Sequence, residues 1–136
     1  MLTYADGSAL SRSLMTGVES ASWLRWSSEH SAELVTSPLG LTELRRAADG
    51  LDALAREKAH AIAEQITVVR FFDQSLKSAA MASTVLSPFA AIHLGIAEAH
   101  PDVGRVATYD PLLARVAIIY GLAVISPGRP DGWWEA

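Results

Sequence analysis

The chain has 136 residues, half of them hydrophobic and 19% charged, with no cysteine and a formal net charge of −4. Those values suit one globular domain with a sizeable core and exclude a compositionally disordered chain. The lack of cysteine excludes a disulfide framework, thiol catalysis and cysteine–zinc sites, and the acidic balance argues against a broadly basic nucleic-acid surface.

The opening MLTYADGSAL has no basic start and no long apolar run, so no secretory signal is expected. No stretch reaches the roughly 18 apolar residues of a membrane span. The longest apolar run, VAIIYGLAVI, is interrupted by Gly121. A cytoplasmic location and no membrane partner are the expectation, and a cysteine-free chain suits a reducing compartment.

Five short β-rich runs alternate with longer helical patterns, with no internal repeat and no linker before the tail. LTYA (2–5) comes first and is the weakest, since only Thr3 and Tyr4 favour a strand. Residues 9–29 predict two short helices broken near Thr16-Gly17. ELVTS (33–37) is the second strand, and Ser37-Pro38 then starts a helix that Gly50 closes. Between Asp52 and Gln65, alanines with Leu54 and Ile62 predict another helix, and ITVVR (66–70) a third strand. A helix from about Asp73 to Ala82 follows, and Ser87-Pro88 caps the next. RVATY (105–109) is the fourth strand, Asp110-Pro111 starts a helix ending at Gly121, and LAVIS (122–126) is the fifth strand. Residues 127–136, PGRPDGWWEA, predict an irregular tail whose tryptophans pack on the domain or a partner rather than form a ligand site. Apolar strands separated by helices predict a single α/β domain over 1–136: a three-layer α/β/α sandwich around a parallel sheet of about five strands.

Ligands of open α/β sheets bind at the carboxyl ends of the strands. Asp6 follows the first strand, Thr36 and Ser37 end the second, Glu43 lies on the next helix, and Thr108 and Asp110 end the fourth strand. Each acid has an ordinary role alone: Asp6 as a turn or helix cap, Glu43 as a solvated charge, Asp110 as an N-cap before Pro111. Their arrival at one topological edge points to function instead. Clustered carboxylates need a compensating cation, and hard oxygen ligands suit Mg²⁺ or Mn²⁺.

At these residues the chain resembles the PIN-domain family, and most of all the VapC toxins of bacterial toxin–antitoxin pairs. Asp6-Gly7-Ser8-Ala9-Leu10 is similar to that family's Asp-Thr-Ser-Ala-Leu opening, with Gly7 in place of threonine. Thr36-Ser37 with Glu43-Leu44-Arg45-Arg46-Ala47 matches a second motif, Ala90-Ala91-Ile92-His93-Leu94-Gly95 a third, and Thr108-Tyr109-Asp110 a fourth. A Gly-Leu-x-Val strand ending near a proline is matched from Gly121 to Pro127. The resemblance spans nearly the whole chain. It implies a PIN-like sandwich and a metal-dependent endoribonuclease that cuts RNA phosphodiesters in line with Mg²⁺ or Mn²⁺. It also implies a VapB-like antitoxin partner and a homodimer. Asp6, Glu43 and Asp110 match three of the family's four metal-holding acids, and Ala90 stands where the fourth, an aspartate, is expected.

With Ser87 as N-cap, residue 90 is the third of its helix, where the helix dipole favours a carboxylate by a few tenths to about 1 kcal/mol. A methyl group binds no metal. Three explanations are open: a deliberate Asp-to-Ala change that disarms a toxic nuclease, a naturally degenerate toxin, or a site that works with three acids and water. Survival of the other three acids, His93 and the Ser-Pro cap favours the first. A non-catalytic module that docks antitoxin or RNA is the alternative function. A receiver-like phosphoacceptor is set aside, because Lys58 and Lys77, the only lysines, both fall in helices.

Ser8 and Thr108 are candidates to hydrogen-bond metal-bound carboxylates, with turn capping as their ordinary role. Arg45 and Arg46, and more weakly Arg12 and Lys77, are candidates for RNA phosphate contact against a plain solvated face. His93 reads as a hydrogen-bonded helix residue near the site. Leu14, Trp23, Leu24 and Trp26 read as core, or as a groove for an antitoxin helix.

Overall fold

The computed structural model describes residues 1–135; Ala136, the last residue of the expected tail, lies outside them. Five strands form one sheet in the order β3-β2-β1-β4-β5, every pair parallel. They are β1 (Leu2–Ala5), β2 (Leu34–Thr36), β3 (Thr67–Val68), β4 (Val103–Ala107) and β5 (Ala123–Ile125). Seven α-helices join them among the described residues: α1 (Gly7–Leu10), α2 (Val18–Glu29), α3 (Pro38–Asp49), α4 (Ala53–Gln65), α5 (Asp73–Ala82), α6 (Pro88–Ala99) and α7 (Pro111–Ile119). The fold is the α/β three-layer sandwich expected from the alternating pattern.

The strand order explains why helices cover both faces. From β1 through β2 to β3 the chain steps one way along the sheet; from β3 to β4 and β5 it steps back. Right-handed crossovers then put α1 to α4 on one face and α5 to α7 on the other. Two core clusters reflect this. Tyr4, Val35 and Val106 pack with α5, α6 and α7, whereas Ala5, Leu34 and Ala107 pack with α1 to α4. Neighbouring strand residues serve opposite cores, as the two-residue period of a strand requires.

The helix starts lie where the caps predict. Ser37, Asp52, Ser87 and Asp110 each accept an amide of the first turn, and proline follows the cap in α3, α6 and α7. Gly50 is the C-cap of α3, and Gly121 follows α7 with φ +84°, a conformation glycine adopts without strain. Four strands differ from their expected bounds, β5 covering only Ala123–Ile125. β3 is only two residues long, β2 stops at Thr36, and β4 runs from Val103 to Ala107, so Thr108 to Asp110 form the turn beyond it. β2 stops because Ser37 serves as the N-cap of α3, and β4 keeps five residues but lies two positions earlier than expected, paired with β1 from Leu2 to Ala5.

The tail packs on the domain. Tyr109 Oη donates to Pro127 O at 2.6 Å, Arg115 Nε donates to Trp134 O at 2.6 Å, and Arg129 lies over the rings of Trp133 and Tyr109. No helix among the described residues is long and apolar enough to cross a membrane.

Candidate functional site

β1 and β4 are neighbours, but the connection after β1 goes to one face and that after β4 to the other. Such a reversal opens a crevice at the strands' carboxyl ends. Asp6 directly follows β1 and Asp110 closes the turn after β4. A cavity of about 200 Å³ there is lined by Asp6, Ser8, Glu43, Ala90, His93 and Asp110, together with Ser87, Phe89 and Leu113. All four positions singled out by the motifs therefore meet at one place.

Asp6 is 4% exposed. Its Oδ1 accepts from Ser8 Oγ at 2.7 Å and from the Ala9 amide at 3.0 Å, and its Oδ2 accepts from Thr108 Oγ1 at 2.6 Å. Ser8 Oγ in turn accepts the Tyr109 amide at 2.8 Å, and Thr108 Oγ1 accepts the Asp110 amide at 3.0 Å. Ser8 and Thr108 thus clamp the Asp6 carboxylate and bind it to the turn after β4. Burial pushes the Asp6 carboxyl above its ordinary value, outweighing the nearby His93 and the three hydrogen bonds. Among the described residues no Lys or Arg forms an ion pair with Asp6, Glu43 or Asp110.

Glu43 projects from α3 with its Oε1 2.5 Å from His93 Nε2 and accepting the Gly7 amide at 3.1 Å. His93 is 3% exposed and its Nδ1 lies 2.6 Å from Tyr4 Oη, which lies 2.7 Å from Ser37 Oγ. Asp110 Oδ1 caps α7 by accepting the amides of Leu112 and Leu113. Ala90, in the first turn of α6, is 8% exposed, and its amide donates to Ser87 Oγ at 3.4 Å.

Carboxylate oxygens beside a buried, uncompensated acid suit a hard divalent ion. Asp6 retains lone pairs, and Glu43 Oε2 and Asp110 Oδ2 have no hydrogen-bond partner among the described residues. No three carboxylate or imidazole groups there stand close enough to enclose an ion. A cation here would take carboxylate oxygens of Asp6, Glu43 and Asp110 together with its own waters, a ligand set of the kind Mg²⁺ accepts.

The other expected residues lie elsewhere. Arg45 and Arg46 are exposed, and Arg45 borders a groove between α3 and α4 with Asp49, Arg56 and His60, apart from the acids. Arg12 lies over the Tyr109 ring and beside Glu19, and Lys77 is exposed on α5. Trp23 is buried and stacks on Trp26 at 5.7 Å. With Leu24, Leu34, Ile62 and Ile66 it borders an uncharged groove of about 390 Å³.

Sequence reasoning missed the line Ser37–Tyr4–His93–Glu43. Its one signal was a tyrosine inside a strand buried on both faces, where a phenol needs a hydrogen-bond partner. Gly7 was seen only as a departure from a motif; it is the amide donor to Glu43.

No family model matches the chain, and no curated protein matches it.

Proposed function

We propose that this chain is the scaffold of a metal-dependent endoribonuclease resembling the VapC toxins, with its fourth metal-holding acid replaced by Ala90. One observation carries the reading: Asp6, Glu43, Asp110 and Ala90 all line the cavity at the β1–β4 crevice. Asp6, Glu43 and Asp110 would hold Mg²⁺ or Mn²⁺. When bound, the ion would supply an activated water and neutralise charge at the phosphodiester. Ser8 and Thr108 orient the Asp6 carboxylate, and Asp110 is fixed by its cap. Ala90 supplies neither charge nor ligand, so the chain with alanine is inactive or nearly so.

An antitoxin partner, RNA as substrate and a homodimer belong to the same reading. The groove beside Trp23 and Leu24 supports an apolar partner helix. Ala90, which lines the cavity and supplies no ligand, favours one second reading, a non-catalytic module that docks an antitoxin or RNA.

The test titrates Mn²⁺ and Mg²⁺ into the chain and into its Ala90→Asp variant, by calorimetry with an RNA-cleavage readout. Tight binding and cleavage by the variant alone, lost again on Asp6→Ala, supports the nuclease. Two folded proteins that neither bind nor cut leave the docking module.

A further inference from the structure

Six hydrogen-bonding groups run in line through the core to the cavity. The Gly40 amide donates to Ser37 Oγ at 3.3 Å; Ser37 Oγ lies 2.7 Å from Tyr4 Oη; Tyr4 Oη lies 2.6 Å from His93 Nδ1. Beyond the ring, His93 Nε2 lies 2.5 Å from Glu43 Oε1, which also accepts the Gly7 amide at 3.1 Å. Both ends are backbone amides, which only donate. Ser37 receives one proton from Gly40 and has its own to give, and Tyr4 is its other partner. Tyr4 then gives its single proton to Nδ1. A carboxylate accepts only, so Nε2 carries the ring proton. Tyr4 is wholly buried, so its phenol has only Ser37 and His93 as partners.

The geometry points to His93 as a positioning residue for Glu43, set as an Nε2 donor by Tyr4 and Ser37, so that Oε1 stays on the Gly7 amide and Oε2 is left to the cavity. Gly7 belongs to the same arrangement. A Cβ there would fall on the Cβ, Oε1 and Cδ of Glu43, so a threonine at this position would require Glu43 to shift as a whole, its Cβ included. What Glu43 is held for rests on the nuclease reading; the direction of the hydrogen bonds does not.

Two-bond ¹H–¹⁵N spectra of the ¹⁵N-labelled full chain read the tautomer directly. The expected result is a protonated Nε2 and an unprotonated, hydrogen-bonded Nδ1 on His93, with Tyr4→Phe moving Nδ1 toward the free-nitrogen position. A protonated Nδ1 overturns the proposal. The Glu43 carboxyl ¹³C resonance should stay near its place in His93→Gln, whose amide can still donate, and move in His93→Leu. Indifference of that resonance to His93→Leu also overturns it. If His93→Leu does not fold, the tautomer and Tyr4→Phe decide. In the Ala90→Asp background with Mn²⁺, His93→Leu should lower kcat by about 10- to 100-fold with KM for RNA unchanged, and His93→Gln should retain most of it. Equal kcat in His93→Leu and its parent overturns the positioning role. No cleavage by Ala90→Asp itself removes the nuclease reading, while the resonances still decide what His93 does.

Discussion

Thr108 Oγ1 donates to Asp6 Oδ2 at 2.6 Å, joining residues 102 positions apart. The bond ties the carboxyl end of β1 to that of β4, the two strands whose connections diverge. Ser8 ties them again, donating to Asp6 Oδ1 and accepting the Tyr109 amide. The crevice is therefore held by side chains as well as by the sheet ladder, and the Asp6 carboxylate has one orientation.

The burial of that carboxylate is unfavourable for a charge. Burial raises the Asp6 carboxyl above its ordinary 3.8, with His93, Thr108, Ser8 and Ala9 offsetting only part of the shift. The folded chain then holds this proton more firmly than the unfolded chain. The resulting stability is fully present below the ordinary value and is lost as pH rises through the folded one. Urea unfolding from about pH 4 to about pH 8 should show the parent losing stability relative to Asp6→Asn as pH rises. Parallel profiles for the two proteins would contradict the burial effect.

Glu43 fills the space a side chain at position 7 would need. Gly7→Ala should cost about 1–3 kcal/mol by overpacking. The nearest clash is with Glu43 Cβ, which Glu43→Ala keeps, so adding Glu43→Gly should recover more of that loss than adding Glu43→Ala, giving a coupling in a double-mutant cycle of denaturant midpoints. Additive losses would place the strain elsewhere.

Asp110 has two separable roles. As N-cap it accepts two amides of α7, and Asp110→Ala should destabilise by about 1 kcal/mol. Asp110→Asn keeps an accepting oxygen and should leave the thermal midpoint nearly unchanged. Both substitutions should abolish cation-dependent RNA cleavage in the Ala90→Asp background. Full cleavage by the asparagine variant would leave Asp110 a cap and nothing more.

The tail is fastened by charge. Arg129 bonds Glu19 and lies over the Tyr109 and Trp133 rings. The hydrogen bond from Arg129 holds the Glu19 carboxyl below its ordinary 4.5, exceeding the opposing burial, with the charges of Arg129 and Arg12 adding to it. A lowered carboxyl contributes stability above its unfolded value and loses it as pH falls through the folded one. Arg129→Ala should therefore destabilise by about 1 kcal/mol near neutral pH, since the pair is about a third exposed, and by less in acid. A penalty unchanged between about pH 7 and about pH 3 would assign it to ring packing alone.

Much of the fold was legible because its signals are local. Ser37-Pro38, Ser87-Pro88 and Asp110-Pro111 cap α3, α6 and α7 through contacts within three residues. The strand runs were found but drawn too long at β3, where pairing covers only Thr67 and Val68, and two residues late at the start of β4. The motifs and the rule of strand ends single out Asp6, Glu43, Ala90 and Asp110, and these four line one cavity. Arg45 and Arg46 were picked from the same motif as Glu43, but neither borders the acidic cavity. Arg45 is two residues from Glu43, more than half a helical turn, and faces α4 instead.

By itself, then, the amino-acid order determined the helices, their caps, the parallel α/β class and the rim to which the acids belong, because caps and hydrophobic periods act over a few residues. Only the tertiary structure decided which strands are neighbours, and with that the bonds across 36, 50, 89 and 102 residues that join Gly7 to Glu43, Glu43 to His93, His93 to Tyr4 and Thr108 to Asp6. The first needs β2 beside β1, and the other three need the chain to reverse direction along the sheet and bring α6 and β4 back toward β1, which no local preference encodes.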